Sequence, residues 1–312
     1  MTAVVIATFY KFVDLPDYQL LQPELLSFCR ELGLKGTILL AEEGINATVA
    51  GSREAIDSLL ADLRGDGRLA DMTHKESFAD AVPFERMKVR LKNEIVNLGV
   101  PAVNPRQQVG TYVPAEEWND LITDPEVVLI DTRNNFEFQV GTFPGAINPQ
   151  TDAFNQFPAF VRQNLNPAEH KKVAMFCTGG IRCEKATSYL LSLGFEEVYH
   201  LRDGILKYLE RVPAEESLWQ GQCFVFDDRV AVGHSLAVAA CELCPACETA
   251  VDEPMRQSPH YKQGVYCPNC FETLTGERVA RLDEKRRQKE LAAARTRRTA
   301  GRSGALSSTQ RD

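Results

Sequence analysis

The first hundred residues alternate between two spacings of apolar positions. Val4 to Val13 is a β-rich run that stops at Asp14-Leu15-Pro16, and Asp17 to Leu32 then carries an amphipathic helical spacing closed by Gly33. Thr37–Ala41 and Asn46–Ala50 return to strand character around Glu42-Glu43-Gly44-Ile45, which predicts a hairpin or tight loop. Ser52 caps a helix reaching about Leu63, with Glu54 near its positive end, and Met72–Phe78 and Met87–Leu91 add strands. The resulting order, βαββαβ, is that of a ferredoxin-like split unit. Within it, Gly44-Ile45-Asn46 reads either as a contact loop or, on its residue types alone, as a turn needing positive φ.

Asn93 to Tyr112 holds Pro101 and Pro105 and reads as a linker. A second αβ alternation follows. A helix opens at Pro114–Trp118, Val127–Ile130 is a short strand, Asn134–Gln139 a short helix, Gly141–Gly145 a turn and Ala146–Asn148 a brief strand. A helix around Phe154–Asn164 leads to a buried strand at Lys172–Phe176, a helix at Arg182–Leu193, a strand at Val198–Leu201 and a helix at Ile205–Arg211. Cys177 therefore sits at the carboxyl end of a strand in a parallel sheet, the edge where such sheets bind ligands. The amides of Thr178 through Cys183 can converge on its sulfur, and the positive end of the next helix lowers a thiol pKa. Gly179 and Gly180 open the turn to an anion and Arg182 adds positive charge. A buried structural cysteine is the competing account, but glycines beside an arginine describe a site better than a core.

Composition adds three points. At 312 residues and 44% hydrophobic content the chain is long enough for two or three domains with their own cores. No run approaches a membrane span and Met1-Thr-Ala-Val-Val-Ile-Ala lacks a basic leader, so a cytoplasmic protein that meets no membrane is expected. Nine cysteines in such a compartment point to metal binding or catalysis rather than disulfides. Cys244, Cys247, Cys267 and Cys270 form C-x2-C-x19-C-x2-C, two knuckles suited to a closed, structural zinc site, with Cys241 a rival first ligand. Net charge is −8, yet Arg278 to Arg311 holds eleven Lys/Arg against three acids, a surplus of eight that leaves the remainder at −16. A basic tail on an acidic body fits a polyanion partner, and equally a solvated, flexible tail with none.

Asp131-x-Arg133-x3-Glu137-x3-Gly141-x2-Pro144-Gly145-Ala146-Ile147-Asn148, Cys177-x4-Arg182 and Leu201-x-Asp203-Gly204 resemble the three motifs of a rhodanese domain. With Glu43-Gly44-Ile45-Asn46, Cys177-Thr-Gly-Gly-Ile-Arg-Cys-Glu-Lys185, Gly204-Ile-Leu-Lys-Tyr-Leu209, Trp219-x-Gly221-x-Cys223-Phe-Val-Phe-Asp-x-Arg-Val230 and the terminal cysteines, nearly the whole chain is similar to the rhodanese-like tRNA uridine hydroxylases. It departs at Ala47, where glycine is expected, and at Asp203, where glycine is commoner. The expected architecture is α/β: a ferredoxin-like α+β domain over 1–100, a linker with its leading helix over 101–122, a rhodanese-type parallel-sheet domain over 123–220, a cysteine-rich zinc-binding segment over 221–277 and a flexible basic tail over 278–312.

The resemblance implies oxygen-dependent conversion of the wobble uridine of tRNA to 5-hydroxyuridine, with the anticodon loop as partner and dioxygen as co-substrate. On this reading Cys177, as thiolate or persulfide, adds to C6 of uracil, while Arg182 and Arg133 stabilise an oxyanion or hold a phosphate. Sulfur transfer through a Cys177 persulfide, and a non-catalytic RNA- or protein-binding adaptor, are the alternatives. Cysteine phosphatases use C-x5-R, whereas the sixth residue after Cys177 is Cys183, which argues against that chemistry. No flavin or nicotinamide fingerprint and no two-histidine-one-carboxylate iron signature is found. Glu137 is expected to pair with Arg133 and fix the loop after Asp131. Cys183 reads as a core residue or a resolving thiol, and Lys185 as a solvated helix residue. No feature assigns an oligomeric state.

Overall fold

The computed structural model describes residues 4–288, 290 and 291, in two compact units that divide between Ala239 and Ala240. In the first unit, β1 (Val4–Phe12), α1 (Tyr18–Glu31), β2 (Lys35–Ala41), β3 (Gly44–Gly51), α2 (Arg53–Gly65) and β4 (His74–Ala79) follow the expected order. A further strand, β5 (Met87–Leu91), lies parallel to β2 at the edge, giving a sheet ordered β4-β1-β3-β2-β5. Alternation splits each strand between two faces. Val5, Ala7, Phe9, Ile38, Leu40, Ile45, Ala47 and Val49 bury against Cys29, Ile56, Leu59 and Leu63 of the two helices. Thr8, Thr37, Asn46 and Thr48 take the opposite face. Ser52 caps α2 as expected, its hydroxyl accepting from Ala55 N at 3.2 Å.

Gly44 takes φ 140°, which L side chains rarely adopt, and a Cβ there would lie 2.0 Å from Lys11 O, so conformation and close strand approach both select the glycine. Asn46 is not the turn residue expected from its type. It lies mid-strand, with Tyr10 opposite it on β1 and Leu39 on β2.

The central part comprises β6 (Thr111–Val113), α3 (Ala115–Ile122), β7 (Val127–Asp131), α4 (Asn135–Phe138), β8 (Gly141–Thr142), α5 (Phe157–Asn164), β9 (Lys172–Phe176), α6 (Ile181–Ser192), β10 (Glu197–Leu201) and α7 (Gly204–Arg211). Four strands form a parallel sheet in the order β6-β10-β9-β7. The brief strand expected at Ala146–Asn148 is reduced to one bridge between Ile147 and Ile130.

Two segments differ from expectation because their apolar residues find cores. The stretch read as a linker buries Ile95 and Leu98, and Leu98 and Val103 pack with Val173 and Met175. Residues 221–239, expected with the zinc-binding segment, belong to the first unit. There β11 (Gln220–Gly221) pairs with β8 and β12 (Cys223–Phe224) with β13 (Ala231–Val232), and Cys223, Val225 and Val232 enter the core around Trp118 and Phe143.

The second unit has a hairpin of β14 (Glu242–Leu243) and β15 (Ala250–Val251), followed by the cysteine pair of its second knuckle. Residues 276–288 are helical, with Leu282 buried, rather than the flexible start of a tail. The remainder of the basic tail, 292–312, lies outside the described residues.

Candidate active site

Cys177 follows β9 directly, and Gly180 (φ 98°) turns the chain into α6. Gly204, at φ 73°, permits the tightest contact in the loop. A Cβ there would sit 2.5 Å from Cys177 O and 2.6 Å from Thr178 O. Asp203 before it is left-handed at φ 63°, which accounts for glycine being commoner there, and its carboxylate is held by Lys75 Nζ at 3.0 Å. The Gly180 amide donates to Cys177 Sγ at 3.1 Å. Burial alone would raise the Cys177 thiol. Hydrogen bonding from the Cys183 thiol, the Arg182 charge and the amides of Cys183 and Gly180 outweigh it and bring the pKa down to about 5. Cys183 itself is fully buried, within 3.6 Å of Thr132 Oγ1, and burial together with the Cys177 thiolate pushes its pKa up.

The arginines divide their work differently from expectation. Arg182, nearly buried, makes a fork to Glu137 with Nη1–Oε2 at 2.6 Å and Nη2–Oε1 at 2.8 Å. Glu137 also accepts from the Asn134 amide and the Thr178 hydroxyl. Burial would raise its pKa, but the Arg182 charge and hydrogen bonds prevail and lower it. Arg133 was expected to pair with Glu137 and to meet the substrate anion. It does neither. It is wholly buried, with Nε and Nη2 on Asp131 at 2.9 and 2.6 Å and its guanidinium 5.1 Å from the Trp219 ring centroid. Nη2 also donates to the Gly141 carbonyl and Nη1 has no partner among the described residues, so it is burial that keeps this charge from an outside anion.

Lys185 corrects the sequence in the opposite direction. The expected solvated residue is 3% exposed in its side chain, with Nζ 2.7 Å from Glu43 Oε2 and 2.5 Å from Glu94 Oε2. Glu43 Oε1 also accepts the Ile95 amide at 2.6 Å, and Asn46 Nδ2 donates to the Ile95 carbonyl at 3.0 Å. The first and last residues of Glu43-Gly44-Ile45-Asn46 therefore hold one residue of the crossing segment after β5, Ile95, by its N–H and its carbonyl. Nearby, Glu184 accepts from Tyr10 at 3.0 Å and Tyr112 at 2.7 Å, and burial raises its pKa. Glu43, Glu94, Tyr10, Tyr112 and Glu184 had no role in the sequence reading. Glu43 and Asn46, through their shared motif, and Glu184, through the motif that opens at Cys177, are the ones the sequence signals.

Beside these contacts lies an open cavity of about 780 Å³. One wall is the open sheet face, with Thr8, Thr37, Asn46 and Thr48; the other is the loop of Cys177, Thr178, Gly179 and Arg182. Asn93, Asn97, Phe84 and the 65%-exposed Phe226 lie at its sides. Gly180 serves the thiol and the turn rather than the wall. Cys177 borders the cavity yet has no solvent-exposed surface. Such a space, lined by apolar groups, amides and hydroxyls together with the charged Lys92, Glu94, Arg182, Asp227 and Arg229, can hold a nucleotide-sized ligand against a thiolate.

In the second unit, the sulfurs of Cys244, Cys247, Cys267 and Cys270 lie within 4.8 Å of one another, and Cys241 is not among them. Separations of 3.5 Å (Cys247–Cys267), 3.8 Å (Cys244–Cys270) and 3.9 Å (Cys267–Cys270) match the roughly 3.8 Å between sulfurs placed tetrahedrally about 2.3 Å from a metal. The donor set is consistent with zinc.

Residues 4–95 match the family model described as the UPF0176 acylphosphatase-like domain, and 114–211 that of the rhodanese-like domain. Among solved structures, the chain is similar to a rhodanese-like domain from Anabaena sp. at 17% identity, over 36% of this chain and 80% of that one, with a TM-score of 0.30. It is similar to a rhodanese-like domain protein from Staphylococcus aureus at 20% identity, over 31% and 90%, with a TM-score of 0.27. A third similarity is to BlsA in its photo-activated state, at 18% identity over 29% and 71%, with a TM-score of 0.26.

Proposed function

From a chain with the architecture of the UPF0176 rhodanese-domain proteins, an acylphosphatase-like domain followed by a rhodanese-like domain, we propose an oxygen-dependent tRNA hydroxylase that converts the wobble uridine to 5-hydroxyuridine. The observation that carries this reading is the cavity of about 780 Å³ that sets the Cys177 loop opposite a polar sheet face. A single-stranded anticodon loop can unstack its base and insert it into such a space.

In the proposed chemistry the Cys177 sulfur adds to C6 of uracil, leaving the electron pair at C5 as an enolate. C5 then couples with dioxygen. One oxygen atom stays on C5, and the other leaves as water with two electrons and two protons from a thiol reductant. Loss of the C5 proton and of sulfur from C6 restores the ring. Because Cys177 has no exposed surface, its persulfide, formed by taking sulfane sulfur from a persulfide or thiosulfate donor that leaves as thiol or sulfite, is the better placed form: the outer sulfur extends about 2 Å beyond Sγ. Arg182, Gly179 and Gly180 would stabilise developing negative charge beside the sulfur. Arg133, Glu137 and Cys183 support the loop, Cys183 by hydrogen bonding to Cys177. Zinc would be held by the four clustered cysteines as a structural ion, and basic residues of the second unit would add phosphate contacts.

Nucleoside mass spectrometry tests this on tRNA incubated with the protein and a thiol, in air and under nitrogen. Product in air, none under nitrogen and none from Cys177→Ser is the expected result, with tRNA binding retained by the variant. Conversion of thiosulfate and cyanide to thiocyanate without hydroxylated nucleoside would instead identify a sulfurtransferase.

A further inference from the structure

The polar sheet face carries more than room for a base. Asn46 stands on the central strand of its sheet, so its backbone position is fixed by β1 on one side and β2 on the other. Its amide orientation is fixed as well. The Ile95 carbonyl only accepts, so the group 3.0 Å from it must be Nδ2. The N–H of the same residue is held by Glu43. Oδ1 is consequently a preset acceptor in the cavity wall, and among the described residues nothing donates to it.

One strand position further on the same face, Thr48 Oγ1 lies 3.2 Å from Thr8 Oγ1. Two hydroxyls joined by one hydrogen bond keep one proton to donate. The wall therefore offers an acceptor and a donor side by side. Uracil presents N3–H beside carbonyl oxygens, which is the complementary pattern. Cytosine presents an unprotonated N3, which would set lone pair against lone pair at Oδ1.

We propose that Asn46 is the specificity-determining residue of the cavity, accepting the N3–H of uracil at Oδ1 and rejecting cytosine, with the Thr8–Thr48 hydroxyl pair donating to a neighbouring carbonyl. This rests on the reading of the cavity as the site of a uridine in RNA. Leaving such a buried partner unsatisfied costs roughly a factor of ten to a hundred in affinity.

The test uses the full chain and anticodon stem-loops that differ only in carrying uridine, cytidine or 3-methyluridine at the wobble position. Binding is measured by fluorescence anisotropy under nitrogen, and hydroxylation separately in air. The wild-type protein should prefer uridine over both competitors by roughly ten- to hundredfold. Asn46→Ala and Asn46→Ser should bring the three within about twofold, through weaker uridine binding and with no loss for the cytidine loop. Glu43→Gln, which loosens Ile95 from its other side without touching Oδ1, should weaken all three alike and keep their ratio. A wild-type protein that binds the three loops alike overturns the inference, as does an Asn46→Ala variant with the original ratio. A ratio lost equally in Glu43→Gln would reduce Asn46 to a structural clamp. If wild type makes no 5-hydroxyuridine yet shows an Asn46-dependent uridine preference, the hydroxylase reading fails and this inference stands.

Discussion

At the scale of single residues, the site depends on which charge is neutralised by which. Arg182 serves both Glu137, through two hydrogen bonds, and the Cys177 thiolate, through its charge. Because the Cys177 pKa is lowered to about 5, the thiolate persists above that value and is lost as pH falls through it. Its contribution to stability has the same sign: present above the ordinary thiol range, declining as pH drops toward 5. The ultraviolet thiolate absorbance, taken as the difference between wild type and Cys177→Ser, should be flat near neutrality and fall around pH 5. In Arg182→Gln that step should move up by about one unit or more. The same substitution leaves Glu137 buried without its partner, so denaturant unfolding should show a loss of about 3–5 kcal/mol. The motif residues around Cys177 are legible in the sequence because a strand, a glycine turn and a helix are all local. Partner choice is only partly local. Arg133 turns back on Asp131, two residues away, while Glu137 is taken by Arg182, 45 residues further along the chain, once α6 packs against the loop.

At the scale of elements, the alternation of apolar positions in β1, β2 and β3 identified the strands because one face meets two helices. It could not say what covers the other face. The same limit explains Lys185. A helix with one apolar stripe normally shows its remaining residues to water, but Arg182 through Leu190 are all buried. The crossing segment and the hairpin of β2 and β3 place Glu43 and Glu94 over Lys185. Burial would raise the Glu94 pKa, yet the Lys185 hydrogen bond and the amides of Leu98 and Gly99 bring it below its ordinary value. Stability from this group is therefore complete above the ordinary carboxylate pKa and is lost as pH falls through the depressed one. Lys185→Met should be less stable at neutral pH, and its unfolding midpoint should fall less steeply than that of wild type on acidification. Parallel denaturation series across the acid range would check this, and identical slopes would remove Lys185 from the account.

At the scale of the whole molecule, each unit has its own means of staying folded. The first has three apolar cores, whereas the second has a small cluster centred on Cys244, Val251, Cys267 and Cys270. A cluster that small needs a bound ion to hold it. Cys267→Ser should abolish stoichiometric zinc by elemental analysis and lose the calorimetric transition of the second unit, leaving the transition of the first in place. Among the described residues no helix is long and apolar enough to cross a membrane. The sequence by itself determined the element order, the Cys177 loop and the cysteine spacing, because each depends on neighbours within a few residues or on a strict period. Tertiary structure alone decided that a presumed linker joins the core around Val173 and Met175, that Lys185 is enclosed by two carboxylates, and that Asn46 and Cys177 face one cavity. These depend on contacts between segments tens of residues apart, whose pairing follows from how the sheets pack and not from any pattern along the chain.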